Sequence, residues 1–236
     1  MKILAKIRFY TGALTISGIV ALIMIPLLFI VPRYRCQILH YFNALILFLL
    51  GGRIEEEGSL DPDTQMLLIN HQGIIDIIAM EARDCTGLRW VAKKELFNIP
   101  WFGNILKRSD MISIDRQNKA GLIKLLKDAK ETIEEKNRII AIFPEGTRTD
   151  GQKLLSFKAG AGLIAKKLKL RVQPVVITGS KYLLNEHNRT AHNSTVKIAF
   201  LDAFDVHSDD MHWYQEAAEN MQKKIDEEQQ IHHRER

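Results

Sequence analysis

The most constraining feature of the sequence is an uncharged apolar run near its N-terminus. The run extends from Thr11 to Val31 without a charged residue. Because a helix rises by roughly 1.5 Å per residue, a run of this length can cross a hydrocarbon layer of about 30 Å. Lys2, Lys6 and Arg8 precede the run, but no small-residue cleavage site follows it. We therefore expect an uncleaved membrane anchor.

Two arrangements of this anchor fit the sequence. A second apolar stretch, from Ile38 to Leu50, is too short to span a membrane alone. Pro26 could divide the first run into a re-entrant pair of half-helices, with both ends on the cytoplasmic face. Alternatively, one tilted transmembrane helix is followed by an interfacial helix. Positive charges lie on both sides of the first run, so the distribution of charge does not choose between these arrangements.

The composition changes sharply after Gly51-Gly52, where three consecutive glutamates follow. We predict a membrane anchor over residues 1–53 and a single domain over residues 54–236. In this domain, short runs rich in Ile and Val alternate with amphipathic stretches, which is typical of an α/β layer fold. The expected architecture is a mixed sheet flanked by helices, preceded by the helical anchor.

The predicted elements alternate along the domain. The predicted strands are Met66–Ile69, Leu88–Ala92, Met111–Ile114, Ile139–Phe143, Val172–Thr178 and Val196–Leu201. The predicted helices are Ile74–Ala82, Trp101–Lys107, Lys119–Glu134, Phe157–Leu168 and Met211–Glu227.

Charge and cysteine content exclude several classes of protein. The 33 basic residues exceed the 28 acidic ones only mildly, and no nucleic-acid-binding motif is present, so we expect no nucleic-acid partner. The only two cysteines, Cys36 and Cys85, are too few for a disulfide framework or a cysteine-only zinc site. A reducing, cytosol-facing environment is the simpler interpretation.

The first candidate for chemistry is His71, which follows a predicted strand and precedes a predicted helix. Asp76 comes five residues later, close enough to fold back onto the imidazole. A carboxylate on one imidazole nitrogen fixes the tautomer, so that the other nitrogen can take a proton from a substrate hydroxyl. The alternative is that His71 is only a turn residue and Asp76 only part of the first helical turns.

The second candidate is the segment from Phe143 to Arg148, which also ends a predicted strand. Its Pro and Gly predict a tight loop that holds Arg148 at the strand exit, where a guanidinium can bind a phosphate. The backbone N–H groups around Gly146 could face an oxyanion. The alternative is a sharp turn with a surface salt bridge.

A third segment, from Ser113 to Arg116, ends another predicted strand. If the strands are parallel, Arg116 and Arg148 share an edge with His71, because ligands of open α/β sheets bind at the carboxyl ends of the strands. A His-Asp pair and two arginines at one edge would suit a phosphorylated substrate with a hydroxyl to activate.

Together these motifs resemble the glycerolipid acyltransferase family. The resemblance includes the His-x4-Asp motif, the Ile-Asp-Arg motif ending at Arg116 and the Phe-Pro-Glu-Gly-Thr-Arg motif, in the family's order. A further block from Val172 to Ile177, and the segment from Ala92 to Gly103, also fit. The resemblance implies acyl transfer from an acyl-carrier-protein or coenzyme A thioester to the free sn-2 hydroxyl of lysophosphatidic acid, giving phosphatidic acid.

The resemblance also implies a role for each motif residue. His71 would be the general base and Asp76 would orient it. The implied substrate-binding residues are the cations that would hold the phosphate, Lys93, Arg116 and Arg148, and the residues that would shape the site, Glu145, Gly146 and Thr147. Neither a metal nor a prosthetic group is implied. The implied location is the inner membrane, with the catalytic domain facing the cytoplasm.

The sequence departs from the family pattern at two places. Gly73 stands where the first motif usually has Ser, and Asp110 and Ser113 are unusual in the second motif. These departures leave the acceptor open, and another lysophospholipid or a lyso-ornithine lipid is an alternative. A membrane-anchored lipid-binding protein without activity is a further alternative. Phosphate-ester hydrolysis is disfavoured, because it would use carboxylate clusters for metal that the sequence lacks.

Overall fold

The apolar run forms one long helical segment in the computed structural model, which describes residues 2–115, 119–149, 153–207 and 211–234. Helix α1 (Lys2–Ile19) continues through a π-helical turn (Val20–Met24) into helix α2 (Ile25–Ile30). The 29-residue segment could cross a membrane by its length and composition. It passes Pro26 without interruption, so the break that we considered for a re-entrant pair does not occur there.

Helix α3 (Arg35–Leu49) follows a short 3-10 turn and packs against helix α4 (Ile74–Arg83). Leu28, Ile46 and Ile75 belong to one buried cluster, so the N-terminal helices share a hydrophobic core with the following domain. Their outer faces expose large apolar side chains, including Leu14, Leu22, Ile30 and Phe48. An apolar surface of this kind fits contact with lipid.

Cys36 and Cys85 form a disulfide between α3 and the loop after α4, with their Cα atoms 5.4 Å apart. The expectation of two reduced cysteines is therefore not met. Nothing in the sequence pairs these residues, because they are 49 positions apart and only the packing of α3 on α4 brings them together.

The domain is built on a mixed eight-stranded sheet. Its strands are β1 (Gly52–Glu57), β2 (Met66–Ile69), β3 (Arg89–Lys93), β4 (Ile112–Ile114), β5 (Ile140–Ile142), β6 (Arg171–Thr178), β9 (Ser194–Phe200) and β10 (Phe204–Asp205). The order is β1-β9-β6-β2-β5-β3-β4, and β10 pairs with β6. The strands from β6 to β4 are mutually parallel, whereas β9 is antiparallel to β6.

Helices cover both faces of the sheet. Besides α4, they are α5 (Lys94–Phe97), α6 (Gly103–Arg108), α7 (Lys119–Glu134), α8 (Ala159–Leu168), α9 (Ser180–Leu183) and α10 (His212–Arg234); strands β7 (Leu184–Asn185) and β8 (Thr190–Ala191) form a small hairpin. Leu67 and Ile69 of β2 join the core beneath α3 and α4, whereas Met66 and Leu68 join the opposite core beneath α7, α8 and α10. This alternation follows from the two-residue period of a strand.

The predicted mixed α/β fold is confirmed. All six predicted strands and all five predicted helices are present, with ends that differ by at most two residues except that α10 continues to Arg234. Strand β1 was not predicted, because its charged sequence lacks the usual apolar pattern. It pairs in parallel with β9 along its whole length and begins at Gly52, before the predicted boundary at residue 53. Lys197 and Lys224 bind Glu57 at its end and hold the pKa of that carboxyl below its usual value.

Candidate active site

The loops that carry the motifs meet at one edge of the sheet. Strands β2, β5, β3 and β4 are parallel neighbours, so their carboxyl ends point the same way. His71 follows β2, and the Phe143–Arg148 loop, called the motif loop below, follows β5. Lys93 ends β3 two strands from β2, and pairs with Ile114 of β4. Arg116 lies outside the residues that the structure describes.

His71 and Asp76 form a hydrogen-bonded pair. His71 Nδ1 lies 2.9 Å from Asp76 Oδ2, and the same oxygen accepts the backbone N–H groups of Gln72 at 2.6 Å and Gly73 at 2.8 Å. Asp76 is completely buried, whereas the His71 side chain keeps 12% of its surface exposed. Since Asp76 stands in the first turn of α4, its carboxylate also caps that helix. One carboxylate thus fixes both the imidazole and the loop that carries it.

The residues on either side of His71 bind the end of β6. Asn70 exchanges two hydrogen bonds with the backbone of Ile177, at 2.9 and 2.6 Å. Gln72 donates to the same carbonyl at 3.0 Å and accepts from the Ser180 hydroxyl at 2.8 Å. These side chains are buried. Because buried amides are costly to leave unpaired, the pairs hold the loop in one position.

The imidazole ring stacks on an aromatic column. The His71 and Phe143 ring centroids lie 3.8 Å apart with nearly parallel planes, and Phe143 stacks on Trp90 at 5.1 Å. The Trp90 indole donates to Glu81 Oε1 at 2.7 Å. Burial raises the pKa of Glu81 to about 7, because its charged form is poorly solvated there. The column fixes the plane of the imidazole, which Asp76 alone would leave free to tilt.

The buried carboxylate of Glu145 connects two loops by hydrogen bonds. Its Oε1 accepts the backbone N–H of His71 and its Oε2 accepts that of Leu155, at 2.9 and 2.8 Å. Burial raises the pKa of this carboxyl above its ordinary value. The Thr149 N–H, directly after the motif loop, donates to the His71 carbonyl at 2.8 Å, so both backbone groups of His71 are bound from this side. Glu145 therefore shapes the site by holding His71.

The turn of the motif loop spans Phe143 to Gly146, and Thr147 follows it. Gly146 has φ of +72°, a left-handed conformation that favours glycine. Its N–H donates to the Phe143 carbonyl at 3.1 Å, so that N–H closes the turn instead of facing an oxyanion as we expected. Thr147 is exposed.

Arg148 lies at the surface beside the first turn of α4, and 49% of its side chain is exposed. Its Nη1 lies 3.2 Å from Oε1 of Glu186, a residue of the β7–β8 turn. Lys93 is also exposed. Both cations are therefore accessible from solvent, Arg148 at the exit of β5 and Lys93 at the end of the neighbouring strand β3.

An apolar cavity of about 410 Å³ adjoins the motif loop, with Phe143, Pro144 and Gly146 in its lining. It is lined mainly by apolar side chains, among them Val91, Leu122, Ile142 and Leu163. A larger groove of about 730 Å³ lies between β6, β9, β10 and α10, and the residues described around it include none of the candidate catalytic or substrate-binding residues. The smaller cavity is therefore the one that belongs to the site.

Sequence reasoning missed several residues of this site. Trp90 and Gln72 act through stacking and buried hydrogen bonds, which no motif marks. Lys181 belongs to α9 and Glu186 to the β7–β8 turn, both more than 100 residues after His71. No local pattern singles them out, because their position depends on how α9 packs against α4.

Known proteins resemble this chain in sequence and in fold. The acyltransferase family model matches residues 53–178. The 1-acyl-sn-glycerol-3-phosphate acyltransferase of Helicobacter pylori is 40% identical over 177 residues, which cover 75% of this chain and 74% of that protein. The protein of the same name from Cocos nucifera is 30% identical over 162 residues, covering 68% of this chain and 53% of that protein.

A solved structure matches almost the entire chain. The crystal structure of the 1-acyl-sn-glycerophosphate acyltransferase PlsC from Thermotoga maritima superposes with a TM-score of 0.77 and 22% identity, covering 97% of this chain and 98% of that one. At this identity the likeness shows the fold. The family model spans both the His71–Asp76 pair and the Phe143–Arg148 loop. The chain therefore belongs to the acyltransferase family, in which its relatives include 1-acyl-sn-glycerol-3-phosphate acyltransferases.

Proposed function

We propose that this enzyme transfers an acyl group from a thioester to the sn-2 hydroxyl of lysophosphatidic acid, giving phosphatidic acid for phospholipid biosynthesis. The observation that carries the proposal is the buried His71–Asp76 pair beside an exposed arginine at one sheet edge. The names of the relatives from Helicobacter pylori and Cocos nucifera support this acceptor.

In the proposed mechanism, Asp76 accepts a hydrogen bond from the Nδ1–H of His71, which leaves Nε2 as the base. Nε2 removes the proton from the sn-2 hydroxyl as its oxygen attacks the thioester carbonyl. The tetrahedral intermediate then collapses, the carbon–sulfur bond breaks, and the leaving thiolate takes the proton from the imidazolium. The buried charge of Asp76 stabilises the imidazolium between these steps.

Binding groups surround this pair. Arg148 and Lys93, with Arg116 from outside the described residues, would hold the acceptor's phosphate. Glu145, Gly146 and Thr147 would shape the surrounding loop. The apolar cavity beside Phe143 fits an acyl chain. Acyl-carrier protein and acyl-coenzyme A both present a thioester, so either suits the mechanism as co-substrate, and the reaction requires neither a metal nor a prosthetic group.

The proposed location is the inner membrane, with the catalytic domain on the cytoplasmic side. Residues 1–53 would anchor the acyltransferase domain of residues 54–236. Three observations support attachment: the 29-residue apolar helical segment, its exposed outer face, and its core shared with the domain. The cytoplasmic side would give the site access to soluble thioester donors, and a lysolipid could reach it from the adjacent leaflet.

The test is acyl transfer by the detergent-solubilised full chain, with radiolabelled acyl-carrier-protein or coenzyme A thioesters and a panel of acceptors. We expect phosphatidic acid from lysophosphatidic acid, formed at least about 100-fold more slowly by a His71→Ala variant. Product from lyso-ornithine lipid alone, or from another lysophospholipid alone, would show that this lipid is the acceptor in place of lysophosphatidic acid. If no donor and acceptor pair gives product while lysolipid binding is intact, the chain is a lipid-binding protein without acyltransferase activity.

A further inference from the structure

We propose that Glu186 is a positioning residue for acceptor binding. Its carboxylate holds the Arg148 guanidinium at the edge of the site, and Gly73 provides the space that this carboxylate occupies. The inference rests on the proposed role of Arg148 in holding the acceptor's phosphate. It concerns two residues, at positions 73 and 186, that no motif connects.

The Glu186 carboxylate joins three parts of the site. Its Oε1 accepts the backbone N–H of Ile74 at 3.0 Å and an N–H of Arg148 at 3.2 Å. Its Oε2 lies 3.8 Å from the ammonium of Lys181, which donates to the Gln72 carbonyl at 2.8 Å. Because Gln72 and Ile74 belong to the loop that carries His71, the carboxylate fixes Arg148 relative to the catalytic pair.

Gly73 makes this arrangement possible. A Cβ atom on residue 73 would lie 2.7 Å from Glu186 Oε2, too close for that contact to persist, and 3.2 Å from Oε1, a tight contact. The backbone there is extended, with φ of −175°, so any residue can adopt it. The need for glycine thus comes from space. A side chain at this position would displace the flexible Glu186 carboxylate from its contacts with Ile74 and Arg148.

The benefit of this contact lies in binding, because an exposed ion pair adds little to stability. Arg148 is half exposed and has a long side chain, which would otherwise sample many rotamers. A guanidinium has five N–H donors, and the contact with Glu186 uses one of them. Among the residues that the structure describes, the other donors have no hydrogen-bond partner and can serve a phosphate. Preorganisation of Arg148 therefore lowers the entropic cost of acceptor binding.

A competing effect has the opposite sign. The Glu186 carboxylate is itself an anion beside the proposed phosphate position, and like charges repel. If repulsion prevailed over positioning, removal of the carboxylate would tighten acceptor binding. The direction of the change in affinity therefore decides between the two effects.

The experiment measures equilibrium binding of radiolabelled lysophosphatidic acid, and of monoacylglycerol as the acceptor without phosphate, to the detergent-solubilised full chain. We expect Glu186→Ala to weaken lysophosphatidic acid binding by roughly threefold to tenfold and to leave monoacylglycerol binding unchanged. Glu186→Gln, which can still accept from Ile74 and Arg148, should restore part of the affinity. Glu55→Ala, which removes an exposed carboxylate on β1, is the matched control and should change neither affinity.

Two double variants test the connection between the residues. Gly73→Ser should weaken binding as much as Glu186→Ala, and the two together should be no weaker than either alone. In an Arg148→Ala background, Glu186→Ala should have no further effect. The KM for lysophosphatidic acid should follow the binding constant while kcat stays within about twofold.

Several results would overturn the inference: tighter binding by Glu186→Ala, equal losses for both lipids, additivity with Arg148→Ala, or no lysophosphatidic acid binding by the wild type. Failure of the proposed function is a separate result. Wild-type protein that binds lysophosphatidic acid but transfers no acyl group would refute the reaction, and the binding comparison would still decide the role of Glu186.

Discussion

The two sides of the candidate site are built differently. On the catalytic side, Asp76 is completely buried and its Oδ2 accepts three N–H groups, while His71 is stacked on Phe143. On the cationic side, Arg148 is half exposed and contacts the carboxylate of Glu186. The base is held from several directions, whereas the proposed phosphate-binding arginine is held by a surface ion pair.

This difference matches what catalysis and substrate binding each require of the fold. A base must meet its substrate at a fixed distance and in one tautomer, so a buried network that prevents movement is useful. A phosphate-binding arginine must admit a ligand and can adjust to it. Substitutions on the catalytic side should therefore lower kcat, and those on the cationic side should raise KM.

The largest expected effect is that of His71→Ala. Removal of the general base should lower kcat by about 10² to 10⁴-fold, while lysophosphatidic acid binding changes little because the ring is not part of the proposed phosphate site. Single-turnover acyl transfer and equilibrium binding measure the two quantities. Weakened binding with normal turnover would reverse the roles assigned to the two sides.

Asp76→Asn should have the next largest effect. All three N–H donors reach the same oxygen, Oδ2, so the amide side chain of this variant can place its own oxygen there and keep the His71 tautomer. The loss should then come from the missing negative charge that stabilises the imidazolium, about 10-fold to 100-fold in kcat. Asp76→Ala, which also removes the hydrogen bonds, should lose more. Equal losses for the two variants would show that orientation, and not charge, is the main contribution of Asp76.

Arg148→Ala should raise the KM for lysophosphatidic acid by about 10-fold and leave kcat nearly unchanged, because it removes charge-assisted hydrogen bonds to the phosphate. Steady-state kinetics with monoacylglycerol as a second acceptor should show no such rise. Arg53→Ala, an exposed arginine on the edge strand β1, is the matched control. An unchanged KM for Arg148→Ala would refute a phosphate role.

Glu81→Gln tests whether a titrating carboxyl is buried behind the catalytic side, next to Trp90. This variant should change stability more than activity. Burial raises the pKa of Glu81 to about 7 in the folded state, above the ordinary value of 4.5. The folded state then holds a proton that the unfolded state has lost, so stability declines as the pH rises from about 4.5 through 7. Gln keeps the acceptor for Trp90 without this titration.

The variant should therefore gain stability relative to wild type with rising pH, on the order of 3 kcal/mol by pH 8 and nothing near pH 4. Thermal unfolding in detergent across this pH range measures the difference. The exposed Glu55→Gln variant should keep the wild-type pH dependence. If the stability of wild type and of Glu81→Gln changes with pH in the same way, Glu81 does not titrate in this range.

Much of the fold was predictable because its signals are local. Strands β2 to β6 are short, apolar and separated by amphipathic helices, and parallel strands bring their carboxyl ends together. The positions of His71 and Arg148 followed from that rule. Strand β1 was not predictable, because its charged residues suit the outer edge of a sheet and give no apolar alternation.

By itself, the sequence determined the apolar anchor segment, the α/β alternation and the order of the motifs, since periodicity and turn residues act over a few positions along the chain. Only the tertiary structure decided that Glu145 braces His71, that Cys36 meets Cys85 and that Glu186 reaches Arg148 past Gly73. These contacts join residues 38 to 74 positions apart. Such pairs are set by how helices and loops pack on the finished sheet, and no local pattern records that packing.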